Sequence, residues 1–592
     1  MWVKYVLNSV FHGFRFIISN NPFLRMNWYI GIFQSSTRML KVSVGICVIY
    51  ITFRVFSDRR KKHLVKRTIS IKLKEVCRNK GRLEQDLVSV NQSNHCEDLE
   101  ISLLLQNLQD GHLSCLEVLR AYQAKALKIT TEYNCITEFI LEAEEWAKQL
   151  DADASLGGKK GPLHGLPFSV KDNVGIIGYD STIGISKFIS QPATEDAAIV
   201  IALKRLGAIP FFLVLVLNSF GCSNPIWGLT MNPWDKERTP GGSTGGEACL
   251  IAAGGSPMGA ESVVTLEAVY VFLQLFVEYT RLSRPPQESV APVPGIMARD
   301  SKTVVTITKL LLHDNHLQIH GDPDLLPIPW NEKMFSEKKK LKIGYYEDDG
   351  FFPTTPGIRR AIQIAKSKLE ASGHELVPFL PPRVDYVLNS FINILTADQS
   401  RYLLEALSND DIDPVLKPTL FALSVPIFLK RLLRPLLSLF SARLMPVYLG
   451  LGGNRIRETH QLWDEITKKN LYKEEFLSYW RELELDLCIA PCFACPAPRS
   501  VDVAKLSPAL SYTSLYNFLD FPVGILPIDK ENVEDQTKLE IEYKYFDAVC
   551  KLVKMTTKGA TGMPLAIQMI GLPYQEEMVL CGMEALDAAL RQ

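Results

Sequence analysis

A lysine and a glycine-flanked serine are the residues of this chain best suited to catalysis. Lys171 ends the mostly apolar stretch Pro167–Lys171, and Ser243 lies in the glycine-rich stretch Pro240–Glu247. Burial disfavours the charged form of a lysine, so a lysine in an apolar strand can accept a proton at neutral pH. A serine between glycines can pass on such a proton, while nearby backbone N–H groups stabilise an oxyanion. The pair therefore predicts serine-dependent hydrolysis with lysine as the base.

The same loop also matches the nucleophile elbow G-x-S-x-G, as Gly241–Gly245. That elbow needs a strand directly before its serine and a helix after it. Residues Asn232–Pro240 are polar and contain two prolines, so they predict a loop instead. None of the ten histidines lies in an obvious triad setting. The lysine-based interpretation is therefore favoured over an α/β-hydrolase elbow.

The composition is that of a large globular protein in a reducing compartment. The 592 residues are 47% hydrophobic and 22% charged, which excludes a disordered or fibrous protein. Lys plus Arg and Asp plus Glu both total 65, so no overall field favours nucleic acid, and no nucleic-acid partner is predicted. The twelve cysteines lack the spacing of a disulfide framework and predict buried thiols. Cys492 and Cys495 form a lone C-x-x-C flanked by prolines, which is a weak signal for metal or redox chemistry.

Short apolar runs alternate with helical stretches, and these elements must position the lysine and the serine. Residues 97–150 predict helices, and Ser114–Glu117 has the spacing of a capping box. Farther on, the alternation predicts α/β layers. The predicted strands are Gly165–Val170, Ile209–Leu217, Lys342–Tyr345, Leu485–Ala490 and Leu565–Ile570, with a helix at Ala197–Leu206. Because strands recur at both ends of the chain, they predict one large domain over residues 95–592.

Residues 1–60 predict a membrane-anchor region. They are apolar and aromatic and contain no acidic residue before Asp58. The uncharged run Val42–Phe53 is short, but its extension to Met39–Phe56 approaches the roughly twenty residues of a spanning helix. The basic cluster Arg59–Lys62 follows, which predicts that the body of the protein is cytoplasmic. A peripheral or disordered tail is the alternative.

A second unusual segment covers residues 416–444. It is rich in Leu and Phe, is interrupted by three prolines, and has only basic charges. The prolines make it a poor spanning helix, so it predicts a hydrophobic cap that lies in a membrane interface. A buried helical hairpin is the alternative.

Eight short motifs occur along the chain in a recognisable order: Gly165–Asn173, Gly178–Gly184, Cys222–Ile226, Pro240–Glu247, Gly254–Pro257, Met297–Asp300, Leu519–Pro522 and Gly562–Gln568. Together they resemble the amidase signature family and, within it, the fatty acid amide hydrolase branch. The resemblance extends from about residue 95 to the C-terminus.

The resemblance implies an α/β fold with a large mixed β-sheet flanked by helices on both faces. It also implies Ser–Ser–Lys chemistry through an acyl-enzyme, with neither a metal nor a cofactor. Lys171 resembles the base and Ser243 the bridging serine, beside an unusual cis peptide bond. Ser243 and Leu217 match positions that contact the substrate in the family.

The fatty-amide branch implies further properties of the whole protein. These are hydrolysis of N-acylethanolamines and primary fatty amides, contact with membrane lipid, and a homodimer. The implied location is the cytoplasmic face of the endoplasmic reticulum or another endomembrane.

The chain departs from the family where the nucleophile is expected. The family's spacing from Ser243 leads to Glu267 instead of a serine, and Thr265 and Leu266 replace two glycines. Glycine is needed where backbone must approach a substrate, and a β-branched residue is a poor substitute. Ser262 is the nearest serine, but it lies five residues early and lacks flanking glycines. A second departure is Phe212–Leu217, which replaces a polar stretch that lines the site in the family.

Three functional hypotheses remain open on the sequence. The first is an active membrane-associated serine amidase with a nonstandard nucleophile. The second is a catalytically inactive protein that binds lipid amides, and the third is a membrane scaffold. Two local losses in a well-matched chain suggest a splice form, a gene-model error or a diverging paralogue.

Overall fold

The computed structural model describes most of the chain after residue 60. The described residues are 61–88, 96–215, 221–262, 270–273, 289–290, 294–313, 328–336, 339–425 and 458–592, with isolated positions between 426 and 457. The predictions for residues 1–60, for Leu217 and for Thr265–Glu267 lie outside them.

The chain divides into two compact units, Met1–Arg67 and Thr68–Gln592. In the smaller unit the described residues 61–67 are helical. The larger unit begins with helix α1, residues 68–88.

The larger unit continues with elements that carry the lysine and the serine. They are α2 (Ile101–Asp110), α3 (Cys115–Tyr133), β1 (Ile136–Phe139), α4 (Ala143–Ser155), β2 (Pro167–Lys171), α5 (Ala198–Arg205), β3 (Ile209–Val214), β4 (Ser223–Asn224), β5 (Gly228–Leu229), α6 (Gly245–Ala252), β6 (Met258–Ser262), β7 (Tyr270–Leu273), β8 (Pro294–Ala298) and α7 (Ser301–His313).

The second half of the chain adds five strands and most of the helices. They are α8 (Glu332–Ser336), β9 (Lys342–Tyr345), α9 (Pro356–Ala371), β10 (Glu375–Pro378), α10 (Val384–Leu395), α11 (Arg401–Ala406), α12 (Lys417–Ser424), α13 (Thr459–Glu482), β11 (Leu487–Pro491), α14 (Ser511–Leu519), β12 (Val523–Lys530), α15 (Val533–Ile541), α16 (Ala548–Thr557), β13 (Pro564–Ile570) and α17 (Glu576–Arg591). Four 3₁₀ turns lie at Cys96–Asp98, Ser186–Phe188, Val503–Lys505 and Ser507–Leu510.

Eleven of the described strands form one mixed sheet. Their order is β1-β3-β2-β6-β8-β7-β12-β13-β11-β9-β10. The pairs β2–β3, β2–β6, β11–β9 and β9–β10 are parallel, and the other neighbours are antiparallel. Helices flank this sheet. Strands from both ends of the chain therefore share one sheet, as the sequence predicts.

An aromatic cluster packs between the C-terminal strands and helices α13 and α14. Phe476 on α13 contacts Phe379, Tyr516 and Phe521, with ring centroids 5.6, 6.4 and 5.6 Å away. Trp480, one turn later on α13, is fully buried and donates its ring N–H to Leu485 O at 2.6 Å. Buried aromatic rings contribute large apolar areas, so this cluster stabilises the C-terminal half of the sheet.

Most predicted elements occur within two or three residues of their predicted bounds. The strand at Lys342–Tyr345 is found as predicted. The capping box of α3 is present: Ser114 Oγ accepts from Glu117 N at 3.2 Å, and Glu117 Oε2 accepts from Ser114 N at 2.9 Å. The prediction of helices throughout 97–150 is wrong at β1, which interrupts them. Four residues are too few to display a strand's alternation beside two long helices.

The predicted membrane cap, 416–444, is only partly described. Its described part includes α12 and isolated helical positions such as Phe428 and Leu432. Among the helices that the structure describes, none is both long enough and apolar enough to cross a bilayer.

Candidate active site

Lys171 is the last residue of β2, which is the third strand from the β1 edge of the sheet. All five residues of β2 are buried, and its neighbours β3 and β6 run parallel to it. Side chains alternate along a strand, so Ser169 and Lys171 lie on one face. The lysine is fully buried, and a charged group in that position needs hydrogen-bonding partners.

Two hydroxyl groups accept hydrogen bonds from Lys171. Its Nζ donates to Ser243 Oγ at 2.9 Å and to Thr244 Oγ1 at 2.7 Å. The structure therefore brings together the two residues that the sequence predicts as base and relay. Thr244 is an additional partner that the sequence analysis did not identify.

The serine lies in an irregular loop that leads into a helix. The peptide bond Gly242–Ser243 is cis, as the family resemblance implies. Thr244 is the N-cap of α6, and residues 232–240 form no strand of the main sheet. The loop thus lacks the strand that a nucleophile elbow requires, as predicted.

The first turn of α6 packs tightly against the end of β3. A Cβ atom on Gly246 would lie 2.6 Å from Leu215 N and O and 2.8 Å from Cys135 O. These are backbone atoms, which cannot move aside as a flexible side chain can. Glycine is therefore required here for the loop to bring Ser243 to Lys171.

A buried polar group lies on the same face of β2 as Lys171. Ser169 Oγ donates to Glu247 Oε1 at 2.7 Å, and it lies 3.0 Å from Ser256 Oγ. Ser256 Oγ donates to Met258 O at 2.7 Å. These contacts join β2, α6 and the start of β6 behind the Lys171–Ser243 contact. The sequence places Glu247 in a motif, but it does not show which strand this buried carboxylate meets.

Asp172 closes the loop that follows β2. Its carboxylate accepts from Thr182 N at 3.1 Å, Thr182 Oγ1 at 2.7 Å and Ile183 N at 2.9 Å. Burial raises the pKa of Asp172 to about 7, although these hydrogen bonds oppose the shift. Trp227 Nε1 donates to Thr182 Oγ1 at 3.0 Å and so fixes the loop from outside.

Arg238 connects the serine loop to the C-terminal half of the chain. It is 1% exposed, and its guanidinium donates to Asp235 Oδ2, Ala497 O, Thr556 O and Lys558 O at 2.8–2.9 Å. A planar, five-donor group suits this set of acceptors, and lysine would not replace it. The serine loop is therefore held by residues more than 250 positions away in sequence.

The other residues singled out from the sequence are described only in part. Leu217 and Glu267 lie outside the described residues. Ser262 is the last residue of β6, and because β6 is parallel to β2, that strand ends at the same end of the sheet as Lys171. Cys492 and Cys495 are buried and do not form a disulfide.

Comparison with known proteins identifies the family of this chain. A protein-family model described as Amidase matches residues 117–262 and 277–580. The chain is 35% identical over 555 residues to "Fatty acid amide hydrolase 1" of Caenorhabditis elegans, covering 90% of this chain and 96% of the relative. It is 34% identical over 507 residues to "Fatty-acid amide hydrolase 1" of Sus scrofa, covering 83% and 85%.

Solved structures show the same fold. A fatty acid amide hydrolase structure superimposes with a TM-score of 0.70 at 23% identity, covering 88% of this chain and 90% of that one. A bacterial aryl acylamidase of the amidase signature family gives a TM-score of 0.62 at 18% identity, covering 82% and 95%. From the family match, the relatives and the shared fold, we conclude that this chain is a hydrolase-type member of the amidase signature family.

Proposed function

We propose that this protein binds long-chain fatty acyl amides and hydrolyses their C–N bond, with Lys171 as base and Ser243 as proton relay. The observation that carries the proposal is the 2.9 Å contact between Nζ of the buried Lys171 and Oγ of the half-buried Ser243. Proton transfer requires such hydrogen-bond reach. The names of the two relatives above support a fatty amide as the substrate.

In the proposed reaction a proton crosses this contact first toward Lys171 and then back toward Ser243. Neutral Lys171 accepts the proton of Ser243, which in turn accepts a proton from the attacking nucleophile. The nucleophile adds to the amide carbon, and the proton returns through Ser243 to the departing amine. Water then releases the fatty acid by the same route.

A second candidate function is binding of lipid amides without hydrolysis. It is favoured by Glu267, which occupies the position where the family's spacing predicts the nucleophilic serine. The matched stretches of the family model also stop at residue 262 and resume at 277, so this turn lies outside both. Loss of the nucleophile of a triad costs several orders of magnitude in rate. A splice form of an active enzyme, or an inactive paralogue, would have these properties.

One experiment separates the two functions. The full chain in detergent is given a long-chain primary amide and an N-acylethanolamine, and the release of fatty acid is measured. A fluorophosphonate probe is applied in parallel, and labelled serines are mapped by mass spectrometry. The variants are Lys171→Met and Ser243→Ala, and the controls are the exposed Lys159→Met and Ser102→Ala.

Hydrolysis is supported if fatty acid is released at a rate that falls at least about 100-fold in Lys171→Met and Ser243→Ala but not in the controls. The mapped serine then identifies the nucleophile. Absence of both turnover and labelling, with retained binding of a fluorescent long-chain amide, overturns hydrolysis and establishes the binding function.

We also propose that the protein is a membrane-associated homodimer on the cytoplasmic face of the endoplasmic reticulum or another endomembrane. The anchor region 1–60 and the cap 416–444 are the membrane-binding segments. Supporting this, Phe421, Phe428 and Leu432 are about 70% exposed, at 69%, 71% and 71%. Phe421 lies on α12, which ends at Ser424, and Phe428 and Leu432 lie at helical positions beyond it. The four-residue spacing of Phe428 and Leu432 is that of side chains on one helix face. Exposed bulky side chains beside basic residues are typical of interfacial helices.

A further inference from the structure

Three side chains capable of binding a metal converge where α3 begins. Cys115 is the first residue of α3, Asp151 lies on α4, and His164 lies in the turn before β2. Their ligand atoms all lie within 4.8 Å of one another. Cys115 Sγ is 3.4 Å from His164 Nε2. The cluster and the candidate active site lie at opposite ends of β2, since His164 precedes the strand and Lys171 is its last residue.

The donor set and its spacing suit zinc. Thiolate, imidazole and carboxylate are the three ligand types that Zn²⁺ takes from proteins, usually in a tetrahedron. Zn–S and Zn–N bonds of about 2.3 and 2.0 Å at a tetrahedral angle separate sulfur from nitrogen by about 3.5 Å. The observed 3.4 Å matches this separation, so these two ligands already have the required spacing.

The charges of the cluster also balance around a divalent cation. Cys115 and His164 are 1% and 4% exposed, so an uncompensated charge between them would be costly. One thiolate and one carboxylate carry two negative charges, which a single divalent ion neutralises. Lys160 carries a positive charge near the cluster. Its Nζ donates hydrogen bonds to Leu108 O and Gln109 O, at 2.7 and 2.8 Å.

Asp151 links the cluster to the helix. Its Oδ1 accepts from Cys115 N at 2.7 Å and its Oδ2 from Leu116 N at 3.1 Å. These bonds satisfy the first amides of α3 and hold the carboxylate beside the thiol. A carboxylate oxygen has a second lone pair, so each remains able to coordinate a metal. Asp151 is only partly buried, which leaves a solvent side for entry of the ion and for a water ligand.

We propose that Cys115, Asp151 and His164 form a divalent-metal site of the zinc type. The ion replaces the thiol proton, which is released to solvent, and water supplies the fourth ligand. The site joins α3, α4 and the turn that leads into the strand of Lys171, so its role is structural. The family resemblance implies no metal. The sequence does not indicate this site either, because its three residues are far apart in the chain and form no metal-binding motif.

The test is a metal titration of the full-length protein. The protein is treated with a chelator under reducing conditions and titrated with Co²⁺, whose bond to thiolate gives a charge-transfer band in the near ultraviolet. The variants Cys115→Ser and His164→Gln remove one ligand each. Cys77→Ser is the matched control, because Cys77 is an exposed thiol outside the cluster.

We expect one equivalent of Co²⁺, displaced by Zn²⁺, and the same band in Cys77→Ser. In Cys115→Ser the band is lost, and in His164→Gln the dissociation constant rises on the order of 100-fold. Zinc raises the melting temperature of the wild type but of neither ligand variant. X-ray absorption of the zinc-loaded wild type, which needs no variant, shows one sulfur at about 2.3 Å. A band that survives in Cys115→Ser, or no stoichiometric binding by the wild type, overturns the proposal.

Discussion

Glu531 is a buried carboxylate with incomplete hydrogen bonding. It is 2% exposed, and its Oε1 accepts from Gln536 Nε2 at 2.8 Å. Among the described residues, no donor reaches its Oε2. Burial raises the pKa of Glu531 to about 7 from the ordinary value of 4.5, chiefly because the ionised form is desolvated. Its ionisation therefore destabilises the folded state.

The sign of this effect gives a pH prediction for Glu531→Gln. The folded state holds the proton more tightly than the unfolded state, so the contribution of Glu531 to stability falls as pH rises from about 4.5 through 7. Glutamine does not ionise and avoids this loss. Relative to wild type, the variant should gain about 2 kcal/mol between pH 5 and pH 8, measured by urea denaturation at both values. The exposed Glu534→Gln is the control, and an equal gain there would contradict the assignment.

Helix α1 is attached to the sheet by a buried ion-pair network. Lys72 is 5% exposed and forms ion pairs with Glu138 on β1 and with Asp180 Oδ2, the latter at 2.9 Å. Asp180 Oδ2 also accepts from Ser190 N at 3.0 Å. The network joins α1, an edge strand and the loop after Lys171. Loss of one partner from a buried network leaves an uncompensated charge, which costs more than the pair contributes.

The corresponding prediction is a large loss of stability in Lys72→Met. We expect about 3–5 kcal/mol, measured as the free energy of unfolding in urea. The exposed Lys74→Met, two residues later on α1, should change it by no more than about 0.5 kcal/mol. Adding Glu138→Gln to Lys72→Met should restore part of the loss, because one of the stranded charges is removed. If the two lysine variants are equally stable, the network does not hold α1.

Some elements and contacts can be predicted from the sequence and others cannot, for physical reasons. Apolar runs near glycine or proline predict β2 and β3 well, because burial on both faces leaves a continuous apolar signal. The Lys171–Ser243 pair was found because each residue has a distinctive neighbourhood. The network of Lys72 was not found, since its charged members come from distant segments and each alone is typical of a solvated surface. Thr244 and Asp172 lie within predicted motifs, but a sequence does not show that Thr244 Oγ1 meets Lys171 or that the Asp172 carboxylate meets Thr182.

At the scale of the whole molecule, the proposed membrane attachment depends on two segments that act together. Single weak anchors bind membranes reversibly, and stable attachment takes two signals. The triple variant Phe421→Ser, Phe428→Ser, Leu432→Ser should therefore lower, but not abolish, flotation of the full chain with anionic lipid vesicles. The control is Leu471→Ser on α13, which is also exposed, at 59%. Unchanged flotation of the triple variant excludes the cap as a membrane-binding segment.

The proposed homodimer is tested on the same preparation. Light scattering in detergent, corrected for the bound detergent, should give twice the chain mass of 66.6 kDa. A value equal to one chain at micromolar concentration contradicts the dimer.

The strand order has a consequence for synthesis on the ribosome. Strands β1, β3, β2, β6, β8 and β7 come from residues 136–298, and β9, β10 and β11 come from 342–491. Among the strands that the structure describes, β12 and β13, from residues 523–570, are the ones that join these two groups. Until the last part of the chain emerges, the nascent protein holds two partial sheets whose edges, β7 and β11, are unpaired. Such edges can pair with other chains, so we expect the growing polypeptide to be prone to aggregation until its final strands are translated.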